Sequence, residues 1–282
     1  MTISALLRAA DRTAQTTDRL SRDFARELAQ VVRAIERRLP GVLRAAAAGS
    51  PSAIIRAAQA NRTRQQLRDV VRAAGFDALL TEGTGSRLSR LAASVLAGQR
   101  IAELSADLTP TLARRVEALQ LLMQSDLLAE GDTAARALWR ATVRGVFGGQ
   151  DTEAILDDLA RVLTRTEAQI ATLYDTSISV FGRQVQALQA TERDDATYAF
   201  VGPVDARTRD WCLAHVGRVF TRAEIDTLDN GQIGPVFLTG GGYNCRHTWM
   251  EVSRFSELRD LVGTRQRIPE IASDLARLRE AA

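Results

Sequence analysis

TYAFVGPVDARTRDWCLAHVGRVFT at residues 197–221 and GGYNCRHTWMEVS at residues 241–253 are the stretches that decide the fold of this chain. In the first, TYAFVGP is rich in β-formers and stops at Gly202-Pro203, which predicts a strand over 197–203. VGRVFT at 216–221 predicts a second short strand, and HTWMEVS at 247–253 a third. Between the last two, RAEIDTL at 222–228 has room for one or two helical turns, and DNGQIGPVFLTGGGYN at 229–244 reads as a glycine-rich loop.

This window holds every cysteine and histidine in the chain: Cys212, His215, Cys245 and His247. The pattern is C-x2-H, twenty-nine residues, then C-x-H. Two thiolates and two imidazoles form the ligand set of a tetrahedral structural zinc ion. A turn brings a pair at i, i+3 together, and an extended segment puts a pair at i, i+2 on one face. A Cys212–Cys245 disulfide, or a reduced pair with the histidines as hydrogen-bonding core groups, fits the same residues. So does a catalytic Cys–His dyad, although no clear oxyanion element accompanies it. Asp205, Asp210 and Glu251 lie close enough in sequence to join a histidine in a metal-dependent nuclease.

Two charged motifs flank the cluster. In VDARTRDWC, Asp205 followed by Thr208 suits an Asx-type turn, and Arg209 is free to pair with a buried acid such as Glu167. Upstream, Arg165-Thr166-Glu167 falls within a helical stretch predicted over 164–190. An Arg–Glu network there would specify how this helix packs on the small module more than it would stabilise it.

Further outward the chain reads as helix. Apolar residues at three- and four-residue steps predict a helix over 3–39, weak between Thr13 and Thr17 and ended by Pro40-Gly41. Ser50-Pro51 opens a helix that Gly75 stops, EGTGS at 82–86 is a loop, and a helix covers about 87–105. Thr109-Pro110 starts another, and Gly131-Asp132 caps a separate helix that runs to Phe147. Asp151 begins a short helix to about Leu163, and the tail is helical with Pro269 at a helix start. The expected fold is α+β and mainly α. A helical region over 1–149 leads into a small α/β module over 150–255 with the Cys/His cluster, then a C-terminal helical tail over 256–282.

Composition narrows the chemistry. All 37 cations are arginine, so catalysis by lysine is excluded, and with it Walker-type ATPase, kinase, Schiff-base and pyridoxal-phosphate enzymes. GC-rich coding explains such a bias, but its physical result is a set of permanent, planar cations suited to phosphate and carboxylate. Residues 1–150 carry 22 Arg against 14 acids, and residues 151–282 carry 15 Arg against 20 acids. Aromatics are sparse in the basic half, so contact with nucleic acid there would be to backbone phosphate. No apolar run has the length of a membrane span. The start, MTISALLRAADRTAQ, lacks the basic-then-apolar order of a signal peptide, which predicts a cytoplasmic product.

The order of motifs resembles the tailed-phage head morphogenesis family, the Mu F-like minor head proteins. An RTE helix is followed by a strand, Asp-x-x-Thr-Arg-x-x-Cys, G-x-V-F, a glycine-rich loop and Asn-Cys-Arg-His. The resemblance covers about 150–255 and rests on Arg165, Thr166, Glu167, Asp205, Thr208, Arg209, Cys212, Gly217, Asn244, Cys245 and Arg246. Many members have a second cysteine where this chain has His247. The resemblance implies a minor virion component and no enzymatic turnover. Its partners would be the portal and major capsid proteins, with packaged double-stranded DNA met through backbone phosphates and no membrane. Its place would be the head interior or portal, after assembly in the host cytoplasm. The rival expectations are a metal-dependent nuclease or Cys–His hydrolase, and a non-specific DNA-binding protein.

Overall fold

The computed structural model describes residues 2–47, 53–101, 110–147, 150–188, 196–253 and 255–280. The fold is α+β and mainly helical, as expected. Helix α1 spans Ile3–Ala47, α2 Ala53–Ala73, α3 Phe76–Ala78, α4 Thr84–Ile101, α5 Pro110–Phe147 and α6 Thr152–Ala187, with a π-helical turn over Leu79–Gly83. Then come β1 (Thr197–Val201), α7 (Asp210–His215), β2 (Val219–Thr221), α8 (Arg222–Asp226), α9 (Val236–Thr239), β3 (Thr248–Glu251), a 3₁₀ segment over Ser256–Leu261 and α10 (Pro269–Glu280). Among the described residues no helix is long and apolar enough to cross a membrane.

The helices run longer than the sequence signals suggest. Pro40 lies inside α1, which continues because Val42 and Leu43 are buried beyond it. The weak stretch between Thr13 and Thr17 is also helical; Ala14 is buried and the Thr17 hydroxyl donates to the Thr13 carbonyl. Gly131 caps nothing and sits within α5, where a Cβ would come 2.7 Å from the Phe76 ring. EGTGS forms no loop: its residues close the π-helical turn and open α4. The two helices expected over 151–190 are a single α6. Gly75 does stop its helix, with φ at 88°. Ser50-Pro51, Thr109, Gly148-Gly149 and most of the polar run at 191–196 lie outside the described residues.

The chain forms two compact units, and they interleave along the sequence. One unit is built from residues 22–86 and 121–174. Its core includes Phe24, Leu28, Ile35, Leu67, Leu80, Leu127 and Tyr174, with the Phe24 and Tyr174 rings stacked 3.7 Å apart. The other unit takes residues 1–21, 87–120 and 175–282, so the first turns of α1 belong with the small sheet instead of with an N-terminal helical domain.

In that second unit β1 is the central strand of a three-stranded antiparallel sheet ordered β2-β1-β3. Tyr198 pairs with Phe220 and Glu251, while Phe200 faces Trp249. Four of the five β1 residues are buried, so the strand is an apolar run with cover on both sides. Leu6 and Ala10 of α1, Ile271 and Leu275 of α10, and both cysteines share the core around it.

Candidate metal centre

Cys212, Cys245 and His247 come together in the core of the sheet-bearing unit. Each is 2 % exposed, and their ligand atoms all lie within 4.8 Å of one another. Three local devices deliver them. Chain leaving β1 turns at Asp205, whose carboxylate accepts from the Arg207 N–H, while the Asp205 N–H donates to the Thr208 hydroxyl. That hydroxyl in turn donates to the Pro203 carbonyl, and the turn launches α7 with Cys212 on its buried side. This is the Asx-type turn expected from the sequence.

Second, buried Asn230 ties the glycine-rich loop. Its amide donates to the Ile233 and Gly240 carbonyls and the Thr239 hydroxyl, and its side-chain oxygen accepts from the N–H groups of Gln232 and Ile233. Third, Asn244 adopts φ 55°, a left-handed turn that asparagine tolerates, immediately before Cys245. The Asn244 N–H donates to the Thr176 hydroxyl, which donates back to the Asn244 side-chain oxygen.

Close approach at the cluster depends on glycine. A Cβ on Gly241 would stand 2.5 Å from Cys212 Sγ, and one on Gly202 would stand 2.8 Å from both Cα and Cδ2 of His247. Gly202→Ala and Gly241→Ala are each expected to cost about 1–3 kcal/mol in urea unfolding. Gly41→Ala in α1, where nothing lies within 4 Å of the added carbon, should be neutral or stabilising. Equal losses at all three positions would count against close packing as the cause.

The two cysteines are free thiols with Sγ atoms 3.9 Å apart, so no disulfide joins them. The Cys212 thiol donates to Cys245 and thereby holds Cys245 well below the usual thiol pKa; the same bond, with burial, pushes Cys212 up. The Gly241 N–H also donates to Cys245 Sγ at 3.1 Å. Beside it lies the guanidinium of Arg183, 4 % exposed, whose own pKa burial lowers. Arg183 Nε donates to the Leu238 carbonyl at 2.6 Å, and Nη1 donates to the carbonyls of Cys245 and His247 at 3.2 and 2.7 Å. It clamps the backbone of the two cluster residues that lead into β3.

His247 is the informative member. Its ring stacks on Phe200 with centroids 5.1 Å apart; it lies close enough to Cys245 to help hold that thiol low, yet neither ring nitrogen makes a hydrogen bond of good geometry among the described residues. A buried imidazole with neither nitrogen in a well-formed hydrogen bond is costly unless a ligand meets one of them. Two thiols and this ring form a donor set that can hold a metal ion.

His215 does not join them. Its Nδ1 donates to the Trp211 carbonyl at 2.7 Å and its ring stacks on Trp211, so it serves α7 as a packed, hydrogen-bonded aromatic. The cause is local: the bond to the Trp211 carbonyl and the stack on the Trp211 ring hold the imidazole back along α7, although Cys212, three residues earlier, is buried in the core.

The remaining motif residues divide between the units. Arg246 grips Asp205 through two bonds, of 2.8 and 2.5 Å, and lies 3.9 Å from Asp18. Arg209 donates to the Gly241 carbonyl and the Gln232 side chain, where a pairing with Glu167 was expected. Arg165, Thr166 and Glu167 sit on the part of α6 that belongs to the other unit, with Arg165 exposed.

No family model, no curated protein and no solved structure matches the chain.

The Arg246 clasp has a pH signature. Its hydrogen bonds hold the Asp205 carboxyl at about 2, below its ordinary 3.8. A depressed carboxylate contributes stability that is complete above the unfolded value and is lost as pH falls from about 4 to about 2. Because the Asp205 side chain is 41 % exposed, screening trims this to about 1 kcal/mol. Asp205→Asn should therefore destabilise the chain by about that amount at pH 6 and by less than half of it at pH 2, where the carboxyl is half protonated, measured by urea unfolding at the two values.

Proposed function

We propose that the chain is a minor head protein of a tailed phage or phage-like particle, acting in head assembly at the portal, with its small module cross-linked by zinc. One observation carries the reading: the residues of the sheet-bearing unit that resemble the head morphogenesis pattern are engaged with one another or with the loop and helix beside them. Asp205 holds Arg246, Thr208 closes the Asp205 turn, Arg209 holds Gly241, Asn244 holds Thr176, and Cys212 meets Cys245. A pattern whose polar members are bonded within their own unit maintains a shape, which is what a protein that works by docking needs.

Zinc is the ion the donor chemistry favours. Two bonds of about 2.3 Å at a tetrahedral angle separate the sulfurs by about 3.8 Å, and here they stand 3.9 Å apart. Three protein donors are the count of catalytic zinc sites, the one feature that favours the hydrolase or nuclease alternative. Burial weighs against it, because donors that are all 2 % exposed leave a substrate no approach.

The test is location. Particles purified with the portal should contain this chain at a low, fixed ratio to portal protein, measured by quantitative mass spectrometry. Absence from such particles would sink the reading. So would hydrolysis of DNA or protein by the purified chain that is lost in a folded His247→Ala variant.

A further inference from the structure

Arginines on α1 fall into register. Within the unit built from residues 22–86 and 121–174, Arg22, Arg26, Arg33, Arg37 and Arg44 follow one another at steps of four and seven, and all five are exposed. At 3.6 residues per turn those steps confine them to an arc of about 60° along about 33 Å of helix. Phe24, Leu28, Ile35 and Leu39 occupy the opposite, buried face of the same helix. Pro40 is the other position on the arc, with Ala29 and Gln30 at its edges, so the stripe holds no carboxylate. Asp23, Glu27 and Glu36 turn to its flanks, about 70° or more from its centre. Arg26 pairs with Asp23 across that edge and remains 75 % exposed.

A bias toward arginine in place of lysine accounts for the residue type and not for this placement. Solvated helical faces alternate sign, and like charges at i, i+4 destabilise a helix by a few tenths of a kcal/mol. The stripe repeats that spacing twice, at Arg22/Arg26 and at Arg33/Arg37. We propose that this face of α1 binds the phosphate backbone of double-stranded nucleic acid, without base readout. The stripe lacks aromatic residues on which single-stranded bases would stack. It also lacks the aromatic and aliphatic anchors of a protein interface. What it offers is one sign of charge, repeated in a line, and the duplex presents one phosphate per about 1.7 Å of axis. This inference deepens the head-assembly reading, placing on one helix face the phosphate contact that the resemblance implies; failure of duplex binding would remove it and leave the portal location to its own test.

The experiment is a fluorescence-anisotropy titration of the full chain with a 30-base-pair duplex at several salt concentrations. Five phosphate contacts give a slope of log K against log salt of about −4.5, equivalent to about 500-fold weaker binding between 50 and 200 mM salt. Replacing Arg22, Arg26, Arg33, Arg37 and Arg44 by Gln should remove about 4.5 from that slope and leave the circular dichroism unchanged. Replacing Arg62, Arg64, Arg68 and Arg72 of α2, also exposed and in the same unit, should leave the slope nearly intact. Three results would overturn the proposal: no duplex binding at 50 mM salt, equal losses from the α1 and α2 sets, or displacement of the duplex by polyglutamate at matched charge concentration.

Discussion

Free zinc at 1,000 times its dissociation constant is expected to raise the thermal midpoint of the chain by about 8–16 °C over the chelated protein. Binding to the native state alone stabilises by about 4 kcal/mol at that ratio. Each kcal/mol moves the midpoint by about 2–4 °C in a chain of this size class. The measurement is calorimetry of the reduced protein in EDTA and in buffered zinc. Variants assign the ligands. Cys212→Ser, Cys245→Ser and His247→Ala should each abolish the zinc-dependent shift, whatever they do to the chelated midpoint. His215→Ala should keep the shift, since that ring is bonded to Trp211 outside the cluster. Zinc titration is the second readout, with about one ion per native chain and none in the triple variant expected. A midpoint indifferent to zinc in the native chain, with all three variants melting alike, would leave His247 as an unsatisfied core histidine.

The cluster was legible because its elements are rare: four Cys and His residues within 36 positions can hardly avoid attention. The sheet was legible because β1, β2 and β3 each carry strand-formers between glycine or polar breaks. Membership of the site was harder. Sequence spacing treats Cys212 and His215 alike, and what separates the buried thiol from the packed ring is the hold of Trp211 on His215, which the spacing does not announce. Helix ends failed for a related reason. Pro40, Gly131 and the glycines at 83 and 85 are local stop signals, yet burial on either side of each outweighs the local preference. Gly131 in particular is needed for contact with Phe76, a requirement of tertiary packing that no neighbouring residue announces. The compact units were illegible for the deepest reason, since α1, α4, α5 and α6 each contribute to both and no composition shift marks the crossing. Arg183 did leave a trace. It is the sole charge between residues 176 and 190, in TSISVFGRQVQALQA, where the helical face around it is apolar.

That residue carries the second large effect. Arg183→Met is expected to cost about 3–5 kcal/mol in urea unfolding of the chelated, reduced protein. Three buried carbonyls, of Leu238, Cys245 and His247, would lose their donors. Each such orphan costs about 1–3 kcal/mol. Relief from burying a guanidinium offsets part of the sum, and Nη2, which has no partner among the described residues, shows that the native arrangement already bears some of that cost. Zinc affinity should fall as well, by about 10–100-fold, the usual consequence of losing a group that orients metal ligands. Lysine should restore little of either, because an ammonium cannot span these three acceptors as the planar fork does. The pair of readouts separates two roles. Lost stability with unchanged zinc affinity would make Arg183 a core cross-link only. Loss of both would mean that the guanidinium, by gripping the carbonyls of Cys245 and His247, sets the positions from which their side chains reach the ion. A variant within 1 kcal/mol of the native chain would show that the carbonyls find other donors and that this clamp is dispensable.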